Sequence, residues 1–127
     1  MATFQHHKAY RRMYKEHELT LGLHIPLENY QYETPTMEKQ VELTQLAEQY
    51  GFTSLWFRDV LLQDPSFGDP ATGQIYDMLI YLTYLASQTK EIALSTSAIV
   101  LPLRHPLRVA KEMATIDQLF PERLIMG

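Results

Sequence analysis

The spacing of apolar and polar positions changes period several times along the chain. Leu19-Thr20-Leu21-Gly22-Leu23-His24-Ile25 alternates apolar with small or polar residues and ends at Pro26. A period of two sends alternate side chains to opposite faces, so this run predicts a first strand. Leu27 to Pro35 reads as a loop. A helix follows to about Tyr50, with a polar stripe at Glu38, Glu42, Gln45 and Gln49. Thr34 or Thr36 suits its cap, Pro35 its first turn, and Gly51 the position just past its end. Thr53 to Arg58 is short and apolar, as a strand covered on both faces should be. Asp59 to Gly73, holding Pro65, Gly68, Pro70 and Gly73, predicts a long loop, a kind that is usually functional. Gln74 to Thr89 reads as a helix apolar on most sides. Ile92 to Ile99 reads as the third strand. Pro106 to Leu119 is a helix with Arg108, Lys111, Glu112 and Thr115 toward solvent, and Arg123 to Gly127 begins a fourth strand.

Strands alternating with crossover helices imply a parallel sheet with right-handed connections. After strand one, Pro26-Leu27-Glu28-Asn29 stands where a dinucleotide or phosphate turn would need glycines, which disfavours a doubly wound or flavodoxin-like sheet. A complete (β/α)8 barrel takes about 250 residues, so this chain holds about half of one. The expected fold class is therefore α/β: a partial (β/α)8 TIM barrel of about three and a half βα units with parallel strands. Its first and last strands would each leave an edge open to another chain, so a homo-oligomer is expected. A barrel's phosphate site is usually built after its last strands, so that anchor is expected to lie outside these residues.

Residues 19–127 form the expected half-barrel and residues 1–18 an N-terminal helical extension. Phe4, Tyr10, Met13 and Tyr14 loosely share one helical face. They predict a short amphipathic helix packed outside the first strand, or else a partly frayed leader.

Composition narrows the partners. Of the 127 residues, 46% are apolar and 20% charged, ordinary for a globular protein. A net charge of −4 offers no footprint for nucleic acid or an anionic membrane. There is no cysteine, which removes disulfides and thiolate chemistry and suits a cytoplasmic location. No apolar run approaches the length of a membrane span, and the N-terminus lacks a signal-peptide core. His6 and His7 are adjacent, but no His, Asp or Glu set has convincing ligand spacing, so no metal is expected.

The richest stretch for chemistry is Thr96-Ser97-Ala98-Ile99-Val100-Leu101-Pro102-Leu103-Arg104-His105-Pro106. Here a strand opens through small hydroxyl residues onto a loop bounded by proline, with Arg104 and His105 at the mouth of the next helix. The hydroxyls of Thr96 and Ser97 suit either a ligand or neighbouring backbone. His24 lies near the C-terminal end of strand one, the end where barrel active sites form. It suits proton transfer, or packing inside the barrel. Arg58 and Asp59 read as an ion pair ordering the loop, and His105 as a helix cap rather than a catalyst. Trp56 and Phe57 read as core. Tyr76, Tyr81 and Tyr84 read as core or subunit contacts. Glu28, Asn29 and Tyr30 can reach the pocket mouth.

With these residues in place, the chain from Leu19 to Gly127 resembles the N-terminal half of the luciferase-like flavin-dependent monooxygenases. The block Thr96 to Glu112, the pair Asp117-Gln118-Leu119 and Arg123-Leu124-Ile125-Met126-Gly127, and Gly51-Phe52 with Leu55-Trp56 carry the likeness. The resemblance implies a flavin-binding barrel, using FMN or sometimes a deazaflavin. Reduced flavin would come from a separate flavin reductase, and O2 would oxidise a small organic substrate. It implies that Thr96, Ser97 and Ala98 line the flavin ring together with His24, with a cis peptide between Ser97 and Ala98. His24 and Asp59 are the implied catalytic residues. Val60 falls where luciferases proper carry a catalytic histidine, a departure that argues against light-emitting chemistry and leaves flavin binding and another oxidation open. The alternative is that this stretch by itself is a non-catalytic, self-associating half-barrel.

Overall fold

A computed structural model describes residues 4–28, 35–62 and 76–127. Four strands, β1 (Gly22–His24), β2 (Ser54–Phe57), β3 (Ala93–Thr96) and β4 (Leu124–Ile125), pair in that order as one parallel sheet. The register aligns Gly22 with Ser54, His24 with Trp56, Trp56 with Ser95, and Ser95 with Ile125. Helices α1 (Lys8–Met13), α2 (Gln40–Gln49), α3 (Met78–Gln88) and α4 (Pro106–Leu119) complete the described elements, with short 3₁₀ turns at Phe4–His6 and Leu101–Leu103. The order of elements is the one expected. The strands are shorter than their apolar runs, because backbone pairing ends before the apolar side chains do.

Alternation divides the sheet into two faces. Leu23, Leu55, Phe57, Leu94 and Leu124 face the main core with Leu82, Leu85, Val109, Met113 and Ile116 of α3 and α4. That is the outer, helix-covered face of a barrel wall. The opposite face carries Trp56, Ala93 and Ile125, and there the N-terminal helix corrects an expectation. Ala9 and Met13 of α1 pack on Ala93 against Trp56 and Ile125, on the inner face of the sheet rather than outside β1. The Ala9 amide donates to Glu122 O at 2.9 Å, Lys8 pairs with Glu122 at 3.2 Å and Arg12 with Glu91 at 2.9 Å. These partners stand at the N-terminal ends of β3 and β4, so α1 closes the lower end of the inner face. Residues facing it from distant strands decide this, and helical periodicity within α1 cannot carry that information.

Two helix starts also differ from expectation. α2 begins at Gln40, after Met37 and Lys39 at φ 60° and 55°, so neither Pro35 nor Thr36 opens it. The chain turns here because the Glu28 carboxylate accepts from Thr36 N and Met37 N, at 2.8 and 3.0 Å. Thr34 lies outside the described residues. α3 begins at Met78, because Asp77 Oδ1 accepts from Leu79 N and Ile80 N at 3.0 and 3.1 Å and caps it there; Tyr76 precedes the helix. Gln74, Ile75 and the loop residues from 63 to 73 lie outside the described residues. The end of α2 is as expected. Gly51, at φ 84°, donates to Glu48 O and Phe52 N donates to Ala47 O, a paired closure that needs a left-handed residue.

Candidate functional site

The C-terminal ends of the strands hold the residues that sequence pattern singled out. His24 ends β1 beside Trp56, with ring centroids 6.4 Å apart. His24 is exposed, yet partial desolvation beside the sheet, followed by the charge of Arg58, holds its imidazole below its usual pKa, so it is neutral at pH 7. Gly22, two residues earlier, is required by the indole. A Cβ there would collide with Ser54 Oγ and Trp56 Nε1, which are themselves hydrogen-bonded at 3.0 Å.

Beyond β3 the chain carries Ser97, half-buried, and Ala98, exposed, joined by a cis peptide bond. Ser97 N donates to Phe57 O at 2.7 Å, which ties this exit to the end of β2. Thr96 is fully buried and shares the helix-covered face with Leu94. Its hydroxyl accepts from Gly127 N at 2.9 Å and donates to Gly127 O at 3.2 Å. The Ile99 amide donates to the same Gly127 carbonyl at 3.1 Å. Thr96 thus fixes Gly127 beside the exit of β3, and Ser97, Ala98 and Gly127 leave the top of the inner face without bulky side chains.

Asp59 lies just past β2, and its side chain is only 4% exposed. Its partner is not the adjacent Arg58, as expected, but Arg104, forty-five positions away. Arg104 Nε donates to Asp59 Oδ2 at 2.8 Å and its Nη2 to Oδ1 at 2.6 Å, while Val100 N donates to Oδ2 at 2.9 Å. The fork of a guanidinium fits both carboxylate oxygens at once, which the neighbouring Arg58 cannot arrange along an extended backbone. Burial alone would raise the Asp59 pKa; the Arg104 and Val100 hydrogen bonds outweigh it and hold the carboxylate below its usual range. Arg104 Nη2 also reaches Asp77 Oδ2 at 3.1 Å, at the cap of α3.

His105 is the N-cap of α4, where its Nδ1 accepts from Leu107 N at 3.3 Å and Pro106 opens the helix. The structure therefore brings together His24, Trp56, Ser97, Ala98 and Gly127 at one end of the sheet, with Asp59 and Arg104 in the loops beside them. Asn29 and Tyr30 lie outside the described residues, and Glu28 is engaged by Thr36 and Met37. No group of three His, Asp or Glu side chains suited to a metal occurs among the described residues. Nor is any helix among them long and apolar enough to cross a membrane.

Sequence pattern gave no sign of two structural residues. Arg123, expected to start a strand, is 8% exposed and bonds Ala86 O, Thr89 O, Thr89 Oγ1 and Ile92 O. Glu48, on α2, accepts from the amides of Lys90, Glu91 and Ile92. Their partners are distant in sequence, and charge alone carries no signal of them.

A family model described as Luciferase-like monooxygenase matches residues 19–127. The alkanal monooxygenase alpha chain of Photorhabdus laumondii is 30% identical over 95 residues, which cover 75% of this chain and 24% of that relative. The chain thus spans about a quarter of that relative's length. Among solved structures, the FMN complex of the oxygenating constituent of 3,6-diketocamphane monooxygenase from Pseudomonas putida superposes with a TM-score of 0.67 at 19% identity, covering 87% of this chain and 29% of that one. The coenzyme F420 dependent tetrahydromethanopterin reductase of Methanopyrus kandleri gives 0.61 at 26% identity, covering 87% and 26%. Both share the parallel α/β wall described above, and the match across residues 19–127 places this chain in the luciferase-like monooxygenase family.

Proposed function

We propose that this chain supplies one wall of a flavin-binding (β/α)8 barrel in an oxidoreductase that uses reduced flavin and O2 to oxidise a small organic substrate. The observation that carries this is the upper end of the inner face, where His24 of β1 and Ser97, Ala98 and Gly127 beyond β3 and β4 lie at the same end of the sheet, opposite the lower end where α1 packs. The residues fit a flat ring system: Ala98 is exposed, Ser97 and Gly127 are small, and neutral His24 can donate or accept a hydrogen bond. FMN is the flavin we favour, with a deazaflavin as the variant. Relatives that name FMN and coenzyme F420 support that choice. When bound, the flavin supplies the redox chemistry.

The chain's own residues supply position and protons. Ser97 and Ala98 set the height at which a ring can rest on the sheet. Thr96 acts beneath them by holding Gly127 in place. His24 is the proton carrier in this proposal: its lowered pKa keeps the imidazole neutral, with one ring nitrogen free to accept a proton and the other able to donate a hydrogen bond. Asp59, with both oxygens engaged, keeps the loop of Val100 to Arg104 in place for the reaction rather than meeting substrate. A separate flavin reductase is the expected source of reduced flavin.

Titration of FMN against the purified chain, followed by flavin fluorescence, tests the proposal. Saturable quenching that is lost in Ala98→Trp, which fills the open end, is the expected result. An unaltered flavin signal, or equal quenching by Ala98→Trp, would count against this site.

The second reading is self-association. β1 and β4 are the sheet edges, and Leu19, Leu21 and Met126 beside them are 89%, 55% and 61% exposed. Unpaired edges flanked by exposed apolar groups favour pairing between copies. Light scattering coupled to size exclusion separates the two, since a monomer that binds FMN excludes a purely associative role.

A further inference from the structure

The loop between β3 and α4 has an unusual problem of support. Ile99 packs on the main core, but Val100, Leu101 and Leu103 after it are 37%, 54% and 60% exposed, so burial of apolar surface does little to hold that part. What fixes it is polar. Ser97 N is tied to Phe57 O and Ile99 N to Gly127 O. Further along, backbone bonds from Leu103 N to Val100 O and Arg104 N to Leu101 O turn the chain, and one side chain anchors it to its neighbours. Arg104 grips both oxygens of Asp59, whose Oδ2 also accepts from Val100 N, and reaches across to Asp77 Oδ2. Asp77 meanwhile caps α3 through its other oxygen. One guanidinium therefore joins the exit of β2, the start of α3 and the loop that follows Ser97 and Ala98.

We propose that Arg104 is the positioning residue of the flavin site, clipping the loop after Ala98 to Asp59 and Asp77 so that the upper end of the inner face has one fixed shape. The proposal rests on the flavin reading above. Arg104 acts through the loop and has no assigned contact with the cofactor. The fork geometry matters as well as the charge. A lysine at this position presents a point charge that can satisfy one carboxylate oxygen at a time, and it cannot hold Asp59 by two bonds while reaching Asp77.

The test compares the unaltered chain with Arg104→Gln and Arg104→Lys by three measurements. Amide hydrogen exchange at Val100 in the flavin-free protein reads the clip directly. Urea unfolding followed by the fluorescence of Trp56 reads global stability. FMN titration reads the site. In Arg104→Gln, exchange at Val100 should quicken about tenfold or more while the amides of β2 and β3 keep their protection, as expected when one or two charge-assisted bonds are lost locally. FMN affinity should fall by a similar factor. Arg104→Lys should recover the urea midpoint but not the FMN affinity, a split that a merely structural role would not produce.

Unchanged exchange at Val100 in Arg104→Gln would overturn the proposal. So would faster exchange with unchanged FMN affinity, or full recovery of affinity by lysine. Absence of FMN binding by the unaltered chain would instead sink the flavin reading, and the exchange measurement would still judge the clip.

Discussion

Replacing Arg123 with methionine should destabilise the protein by about 3 kcal/mol, since buried acceptor oxygens left without a donor cost about 1–3 kcal/mol each without adding fully. The guanidinium is 8% exposed and makes four bonds: Nε to Ile92 O at 3.1 Å, Nη1 to Ala86 O and Thr89 O at 3.0 Å each, and Nη2 to Thr89 Oγ1 at 2.6 Å. Bonds from a charged donor contribute about 1.5–3 kcal/mol each, but bonds sharing one donor do not add fully. The desolvation penalty of the buried guanidinium, which lowers its pKa, disappears with it and offsets part of the loss. Methionine keeps the stem's packing near Phe120, whose ring centroid lies 5.9 Å from the guanidinium carbon, so the difference reports the polar bonds. Against a total stability of about 5–15 kcal/mol, a loss of this size removes roughly a fifth to a half or more of the folded margin. Urea unfolding followed by Trp56, the chain's single tryptophan, is the assay. The midpoint should move with little change in slope, because the surface exposed on unfolding is nearly the same. Arg123→Lys should recover about half, since an ammonium cannot meet three carbonyls and a hydroxyl in one geometry. A loss below about 1 kcal/mol for methionine, or full recovery by lysine, would refute the argument that this guanidinium closes the end of α3 onto β3.

Gly22→Ala should cost about 1–3 kcal/mol and shift the emission of Trp56, because the new Cβ meets Ser54 Oγ and Trp56 Nε1; denaturation and a spectrum of the folded protein check both. Met13→Ala should loosen α1 from the inner face at a cost of about 2 kcal/mol, seen as faster proteolytic cleavage before Gly22, since Met13 is 5% exposed against Ala93, Trp56 and Ile125. Asp77→Ala should remove the α3 cap at a cost of about 1 kcal/mol, measured by urea midpoint. The pKa values of Glu48 and Asp59 are lowered in the folded protein. For Glu48, burial opposes the shift and the Glu91, Ile92 and Lys90 amides with Arg123 overcome it. Carboxylates of this kind stabilise the fold above their unfolded pKa. The contribution of these two carboxylates should therefore hold from neutral pH down to about 4 and fall progressively below it, and Glu48→Gln should flatten that acid limb in a urea-by-pH series.

The parts legible in the sequence are those decided by neighbours within a turn or two. The parallel order of strands and helices follows from apolar periods of two and of about 3.6. Gly51 closes α2 because only a left-handed residue lets Gly51 N and Phe52 N meet the last carbonyls. Pro106 and His105 mark the start of α4 to the residue. The family's block from Thr96 to Glu112 is likewise one contiguous string, so its order of residue types carries the likeness without help from folding.

Tertiary structure decides what depends on side chains far apart in the chain. Sequence adjacency favours Arg58 as the partner of Asp59, whereas the β2–β3 register brings Arg104 there from the next loop. Helical period gives α1 an apolar face, but the sheet supplies its surface: Ala93, Trp56 and Ile125 converge only after three strands have paired. Arg123 carries no mark of burial until the end of α3 presents carbonyls to it. Local backbone preference acts over a few residues, whereas long-range pairing follows from strand register and crossover hand. The elements are therefore written in the chain, while the partners that shape the candidate site come into being only when those elements pack.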